Sequence, residues 1–218
     1  MEGYKLNLVD KYIQQFRNPS GFVGRLVGIN MNFGHQRLYK RALNMINRNN
    51  IYKILDIGCG GGRFIQMLSK NFPSAKIYGI DYSETMVKTT SKLNRELIER
   101  GRVIIRQGSV SKLPFSENSF DLVTGIETCY FWSNLSNDLK EVKRVLKPGA
   151  SLILVNEMHE HHDKNPIVEK LLNKVDLNLL TTRQFYNHVK DAGFTSIEIE
   201  TKGNLIEIKS IKPIEDIT

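Results

Sequence analysis

Long hydrophobic runs are missing from this 218-residue chain. No apolar stretch approaches the ~18 residues that a membrane-spanning helix needs. Cysteine is nearly missing too. Cys59 and Cys129 alone cannot form the disulfide framework of a small secreted domain, and both read as small buried residues. The opening residues, MEGYKLNLVDKY, lack the positive-then-apolar layout of a secretory signal, so a cytoplasmic location is expected. No G-x-x-x-x-G-K-[ST] run occurs, which argues against a P-loop nucleotide site. No H-E-x-x-H helix spacing occurs either. Glu157, His159, Glu160, His161, His162 and Asp163 are crowded into one segment that reads as a solvated loop, and no metal site is expected.

What is present is an ordinary globular composition, 40% hydrophobic and 25% charged, at a length that suits one domain with a substantial core. The net charge of +8 is unevenly spread. Residues 1–50 hold eight Lys or Arg against Glu2 and Asp10, leaving a surplus of two for all the rest. That bias fits either a solvated face or attraction to an anionic partner.

The most informative stretch is residues 54–64, ILDIGCGGGRF. Residues 54–57 read as a short buried parallel strand, and residues 63–72 as a helix. Between them stand Gly58, Gly60 and Gly62, with Gly61 inside the turn. A strand, a glycine turn and a helix start make the nucleotide-binding corner of doubly wound α/β folds. The dinucleotide pattern G-x-G-x-x-G fails here, because its third glycine would fall on Arg63. Nineteen residues past Gly62, Asp81 ends a second strand-like run over 76–80. An ionised carboxylate there is placed to accept both hydroxyl hydrogens of a ribose.

Strand and helix patterns alternate from about Tyr52 onward, which predicts a parallel sheet with helices on both faces. Ser83 reads as the N-cap of a helix reaching about Arg100 and closed by Gly101. Strands follow at 103–107 and 120–126, a helix at 134–146 stopped by Lys147-Pro148-Gly149, and a strand at 151–158. An extra helix is expected over 163–180 and another over 182–192. Strands at 196–201 and 205–211 then turn at Gly203-Asn204 as a hairpin. Upstream, Leu8, Val9, Tyr12, Ile13 and Phe16 give a helical stripe over 4–16, broken at Asn18-Pro19-Ser20-Gly21. Residues 22–34 read as a glycine-rich piece with no helix assigned and 35–47 as a helix.

Four motifs now stand in order: DIGCGGG at 56–62, GIDYS at 79–83, LPFSENSFDLV at 113–123 and RVLKPGA at 144–150. With them the chain resembles a class I S-adenosylmethionine-dependent methyltransferase, over roughly residues 50–160. The resemblance implies a doubly wound, Rossmann-like seven-stranded sheet, mostly parallel with an antiparallel last strand, plus N-terminal helices. It implies residues 1–50 as a helical lid segment on a methyltransferase domain over 51–218. S-adenosylmethionine is the implied cofactor, with S-adenosylhomocysteine as product.

The implied cofactor residues are Gly58, Cys59, Gly60 and Gly62 at the amino-acid end, Asp56 on its ammonium, and Asp81 on the ribose. Tyr82 flanks Asp81, and Met86 packs either on the adenine or in the core. Ser109 and Val110 occupy the place where the family often has Asp-Ala, so the adenine contact would rest on a hydroxyl and a backbone N–H. Ile126, Glu127 and Thr128 end the fourth strand beside the expected sulfonium. Tyr130, Phe131 and Trp132 offer aromatic faces to its charge.

The chemistry expected is in-line displacement, for which positioning alone can contribute about 7–11 kcal/mol. Should the acceptor need deprotonation, Glu127 and His159 lead the candidate bases, with Glu157 and His35 behind them. The motif set resembles the small-molecule group that includes quinone-biosynthesis methyltransferases, where N-terminal helices and an insert after the fifth strand form a lid. Here those are residues 1–50 and about 159–180, with Tyr12, Phe16, Phe22, Met31, Phe33 and His35 facing the pocket. A small-molecule acceptor is the leading expectation and nucleic acid is not. The basic N-terminal segment keeps an RNA or protein acceptor open, and a non-catalytic cofactor-binding module is the third reading.

Overall fold

A computed structural model of the chain describes residue 15 and residues 19–157 and 179–214. The order is α1 (Gly21–Gly34), α2 (Gln36–Met45), β1 (Lys53–Ile57), α3 (Arg63–Asn71), β2 (Lys76–Asp81), α4 (Glu84–Leu93), α5 (Arg95–Glu99) and β3 (Val103–Gln107). It continues with β4 (Phe120–Ile126), a 3-10 turn (Cys129–Phe131), α6 (Leu135–Val145), β5 (Leu146–Asn156), α7 (Thr182–Asp191), β6 (Thr195–Lys202) and β7 (Leu205–Ile211). The strands form one seven-stranded sheet in the order β3-β2-β1-β4-β5-β7-β6. Strand β7 runs antiparallel to both β5 and β6, and the other pairings are parallel. Lys202 pairs with Leu205 across Gly203-Asn204, the expected hairpin.

Side-chain alternation assigns the two faces. In β5, Leu152 and Leu154 enter the core that holds Leu139, Val142 and Phe185 of α6 and α7. Ile153 and Val155 enter the opposite core, with Leu38 and Ala42 of α2 and Ile65 and Leu68 of α3. At the open edge, β6 is mostly exposed and carries Glu198, Glu200 and Lys202, charges that discourage pairing with another chain. An ion pair joins α2 to β7, the strand beside β5: Arg41 Nε donates to Glu207 Oε1 at 2.8 Å, and its Nη2 meets Oε2.

Three local expectations are corrected. Residues 22–34 are helical, because glycine is used there for contact rather than for a turn. A Cβ on Gly28 would lie 2.5 Å from Met86 Sδ, so glycine there leaves the room that the buried Met86 side chain fills between α1 and α4. That packing offsets the ~1 kcal/mol per residue that glycine costs a helix. The helix expected over 83–100 is two helices that meet at Asn94, whose Nδ2 donates to Thr90 O at 2.9 Å and to Gly62 O at 3.1 Å. Strand β5 starts at Leu146 rather than Ser151; its pairing with β4 skips from Phe120↔Leu146 to Leu122↔Ser151 and so absorbs Pro148 and Gly149 in an irregularity. The helices expected over 4–16 and 163–180 lie outside the described residues, apart from Gln15.

Candidate active site

The carboxyl ends of β3, β2, β1 and β4 are neighbours in the sheet, and a cavity of about 710 Å³ opens along them. That is where open α/β sheets place ligands, and the size falls within the ~300–1,000 Å³ of small-molecule sites.

The glycine turn after β1 is held from below by β2: the N–H groups of Gly58 and Cys59 both donate to Ile80 O, at 2.8 and 3.0 Å. Gly58 has φ 70°, and a Cβ there would stand 2.5 Å from Thr128 Oγ1, so both conformation and space demand glycine. Gly60 N–H donates to Asp81 Oδ2 and Ser83 N–H to Oδ1, each at 2.9 Å. One carboxylate therefore fixes the turn and the start of α4 while its remaining lone pairs are available to the cavity. From the other side Asn32 of α1 donates to Gly61 O at 3.0 Å and accepts from Arg63 N–H at 3.2 Å.

The electrostatics are one-sided. Asp56 is buried, accepts from Thr124 Oγ1 at 2.7 Å, and is raised to about 7, by burial first and by the charge of Asp81. Burial also raises Asp81 against the two backbone N–H groups that favour its charge. Glu127 sits at φ 57° and is raised to about 7 by burial, although Tyr130 Oη donates to its Oε2 at 2.8 Å and Glu157 N–H to its Oε1. Among the described residues, the cavity lining holds these three carboxylates and no lysine or arginine. The one histidine of the lining among the described residues, His35, has its pKa lowered by desolvation.

The expected residues are largely brought together. Asp56, Gly58, Cys59, Gly60, Asp81, Tyr82, Met86, Ser109, Val110, Ile126 and Glu127 all line the cavity. Cys59 directs its thiol toward Thr90 Oγ1, 3.9 Å away. Gly62 does not reach the cavity; with φ 85° it opens α3, and its missing side chain makes room for Asn94 and Thr90. Phe131, Trp132, Met31 and His35 line the cavity, whereas Phe22 and Phe33 face solvent on the outer side of α1. His159, Tyr12, Phe16 and the carboxylate–histidine cluster from residue 159 on lie outside the described residues.

Sequence reasoning missed Asn32, Tyr39 and Phe64. Tyr39 stacks on Phe64 at 5.2 Å between ring centres and closes the cavity from the α2 side. The signal for Tyr39 was its place on the apolar stripe of α2; Asn32 had none, since its segment reads only as a glycine-rich piece.

Comparison with known proteins places this geometry. A family profile described as "Methyltransferase domain" matches residues 55–154. The uncharacterized methyltransferase YdaC of Bacillus subtilis is 27% identical over 188 residues, covering 86% of this chain and 92% of YdaC. A demethylmenaquinone methyltransferase of Lactococcus lactis is 36% identical over 111 residues, covering 49% of this chain and 42% of that protein. Several other curated relatives are likewise matched over about half of their length. A crystal structure of a SAM-dependent methyltransferase from Aquifex aeolicus superposes with a TM-score of 0.67 at 22% identity, covering 95% of this chain and 99% of that one. The glycine turn, the carboxylate on the neighbouring strand and the sheet order agree with these matches: residues 55–154 are similar to the methyltransferase domain family, and the fold is that of the class I S-adenosylmethionine-dependent methyltransferases.

Proposed function

We propose that this chain methylates a small-molecule acceptor, with S-adenosylmethionine bound along the ends of β1 to β4. The carrying observation is the cavity itself: three buried carboxylates around a glycine turn, with no lysine or arginine beside them among the described residues. Such a lining fits a ligand that brings its own cations, an ammonium and a sulfonium. When bound, the cofactor supplies an electrophilic methyl group and a neutral thioether leaving group.

The chain's own residues position and exclude. Asp56 holds the ammonium, with the turn at Gly58 and Gly60 giving backbone access. Asp81 takes the ribose hydroxyls on lone pairs left by Gly60 and Ser83. Met86, Ser109 and Val110 bound the adenine end, beside Tyr82. Ile126 and Glu127 stand at the β4 end, where Phe131, Trp132 and Tyr39 exclude water from the reacting face. Glu127 is the described carboxylate best placed to take a proton from an acceptor. Residues 1–50 serve as the lid in this reading, supported by His35, Met31 and Tyr39 at the cavity wall.

The small-molecule acceptor is favoured by the cavity's concave shape and by relatives such as the demethylmenaquinone methyltransferase of Lactococcus lactis. Calorimetry with S-adenosylmethionine tests the cofactor. Radiolabelled cofactor incubated with a metabolite extract, with and without nuclease, tests the acceptor. Label in the extractable small-molecule fraction, unchanged by nuclease, is expected; label that vanishes with nuclease would move the acceptor to RNA.

A further inference from the structure

The outer face of α1 is apolar and open. Phe22, Leu26, Ile29 and Phe33 follow the i, i+4, i+7, i+11 spacing of a single helical stripe. Phe22 is 74% and Phe33 70% exposed, while Gly24, Val27, Gly28 and Asn32 occupy the buried opposite side. Beside this stripe lies a second cavity of about 540 Å³, separate in chemistry from the first. Arg25, Arg63 and Lys92 reach it from α1, α3 and α4, and Ile29, Phe33 and Leu93 floor it. No carboxylate lines it among the described residues, and Glu84, the acid of α4, pairs with Lys88 at 2.6 Å.

A hydrophobic stripe alone names no partner. Cations converging beside it do, because an anionic headgroup and an acyl chain are the two halves of one molecule. We infer that the α1 face docks on an anionic phospholipid surface, with Phe22, Leu26 and Phe33 in the acyl boundary and a headgroup phosphate among Arg25, Arg63 and Lys92. The +6 surplus of residues 1–50 adds long-range attraction to such a surface. Docking there is peripheral, since no helix among the described residues is long and apolar enough to cross a membrane. It is independent of the methyl-transfer reading, because none of its cations lines the first cavity.

The test is sedimentation of the full chain with vesicles of phosphatidylcholine, alone or with about 30% phosphatidylglycerol. Binding is expected to the mixed vesicles alone and to weaken with salt. Arg25→Glu with Lys92→Glu should cost at least about 25-fold in partition, about fivefold for each cation removed. Phe22→Ser with Phe33→Ser should abolish binding while the circular-dichroism melt stays unchanged. Millimolar inorganic phosphate should not displace the protein; displacement would mark the second cavity as a free-anion site and overturn lipid docking. Equal partition onto both vesicles, or none, overturns it from the wild-type protein alone. A dimer that dissociates on Phe22→Ser with Phe33→Ser, without vesicle binding, would give the face to a second copy instead.

Discussion

The phenol of Tyr130 donates a 2.8 Å hydrogen bond to Oε2 of Glu127, three residues earlier in the same turn after β4. Glu157 N–H meets the other oxygen, so the carboxyl is oriented by two donors on a left-handed backbone position. Holding a non-glycine residue at positive φ costs of order 1–3 kcal/mol, a strain that functional sites commonly carry. Glu127→Gln should therefore lower kcat by ~10²–10⁴-fold if this carboxylate takes the acceptor proton, with cofactor affinity nearly unchanged. Single-turnover kinetics beside calorimetry separate the two. An unchanged kcat would assign Glu127 to structure alone.

The Asp81 carboxylate serves two backbone donors and the proposed ribose contact. Asp81→Ala should weaken S-adenosylmethionine binding by ~100-fold or more, as expected for the loss of two charge-assisted hydrogen bonds. Calorimetry reads this directly. The variant should also unfold at lower temperature, since the Gly60 and Ser83 N–H groups lose their acceptor.

Asp56 and Glu127 stand near 7 in the folded ligand-free chain, above the values of exposed carboxylates. The native state thus binds more protons than the unfolded state between the two sets of values. Stability from these groups is full at low pH and is lost as pH rises toward and through about 7. The ligand-free melting temperature should fall between about pH 5 and about pH 8, and fall less in Asp56→Asn. Binding of a ligand that sets its ammonium and sulfonium against these carboxylates reverses the preference, so wild-type affinity should rise with pH over the same window and release protons. Calorimetry in buffers of different ionisation enthalpy measures that release.

At Gly58 a methyl group meets Thr128 Oγ1 on an already left-handed backbone. Gly58→Ala should destabilise the chain by ~2–4 kcal/mol and abolish cofactor binding. Thr128→Ala in the same chain should recover part of the stability but not the backbone cost, and chemical denaturation reports both.

Asn32→Ala removes the tie between α1 and the Gly61 carbonyl. The expected loss is about 1–2 kcal/mol, with cofactor affinity weakened through the turn rather than by a lost contact. The same substitution tests whether α1 belongs to the site.

The sheet was legible in the sequence because buried parallel strands are apolar on both faces and their glycine turns have few alternatives. Residues 54–57, 103–107 and 120–126 read as strands and are strands to within a residue. Residue types fixed by backbone geometry, such as Gly58 and Asp81, were legible for the same reason. The α1 segment was not. Its glycines mimic a loop in one dimension, and only the opposing Met86 shows that Gly28 faces a neighbouring helix. Asn32 was hidden with it, since its long-range contact to residue 61 leaves no local pattern, and Tyr39 showed only as one member of the α2 stripe. Glu127 was visible by position, but its support by Tyr130 and Glu157 depends on how β4 and β5 align.

Arg41 and Tyr39 share α2, and Arg41 is clasped by Glu207 of β7, two strands beyond β4 in the sheet. The wall that Tyr39 contributes is thereby secured by the terminal hairpin, with no residue of the hairpin near the reacting face. A chimera that exchanges β6–β7 for a relative's must carry an acid at position 207, or lose the tie to the partly exposed Arg41, worth about 1 kcal/mol, and set the aromatic wall adrift. Grafts of that hairpin would then read out as altered acceptor choice, an effect that a contact map of the reaction chamber would never foretell.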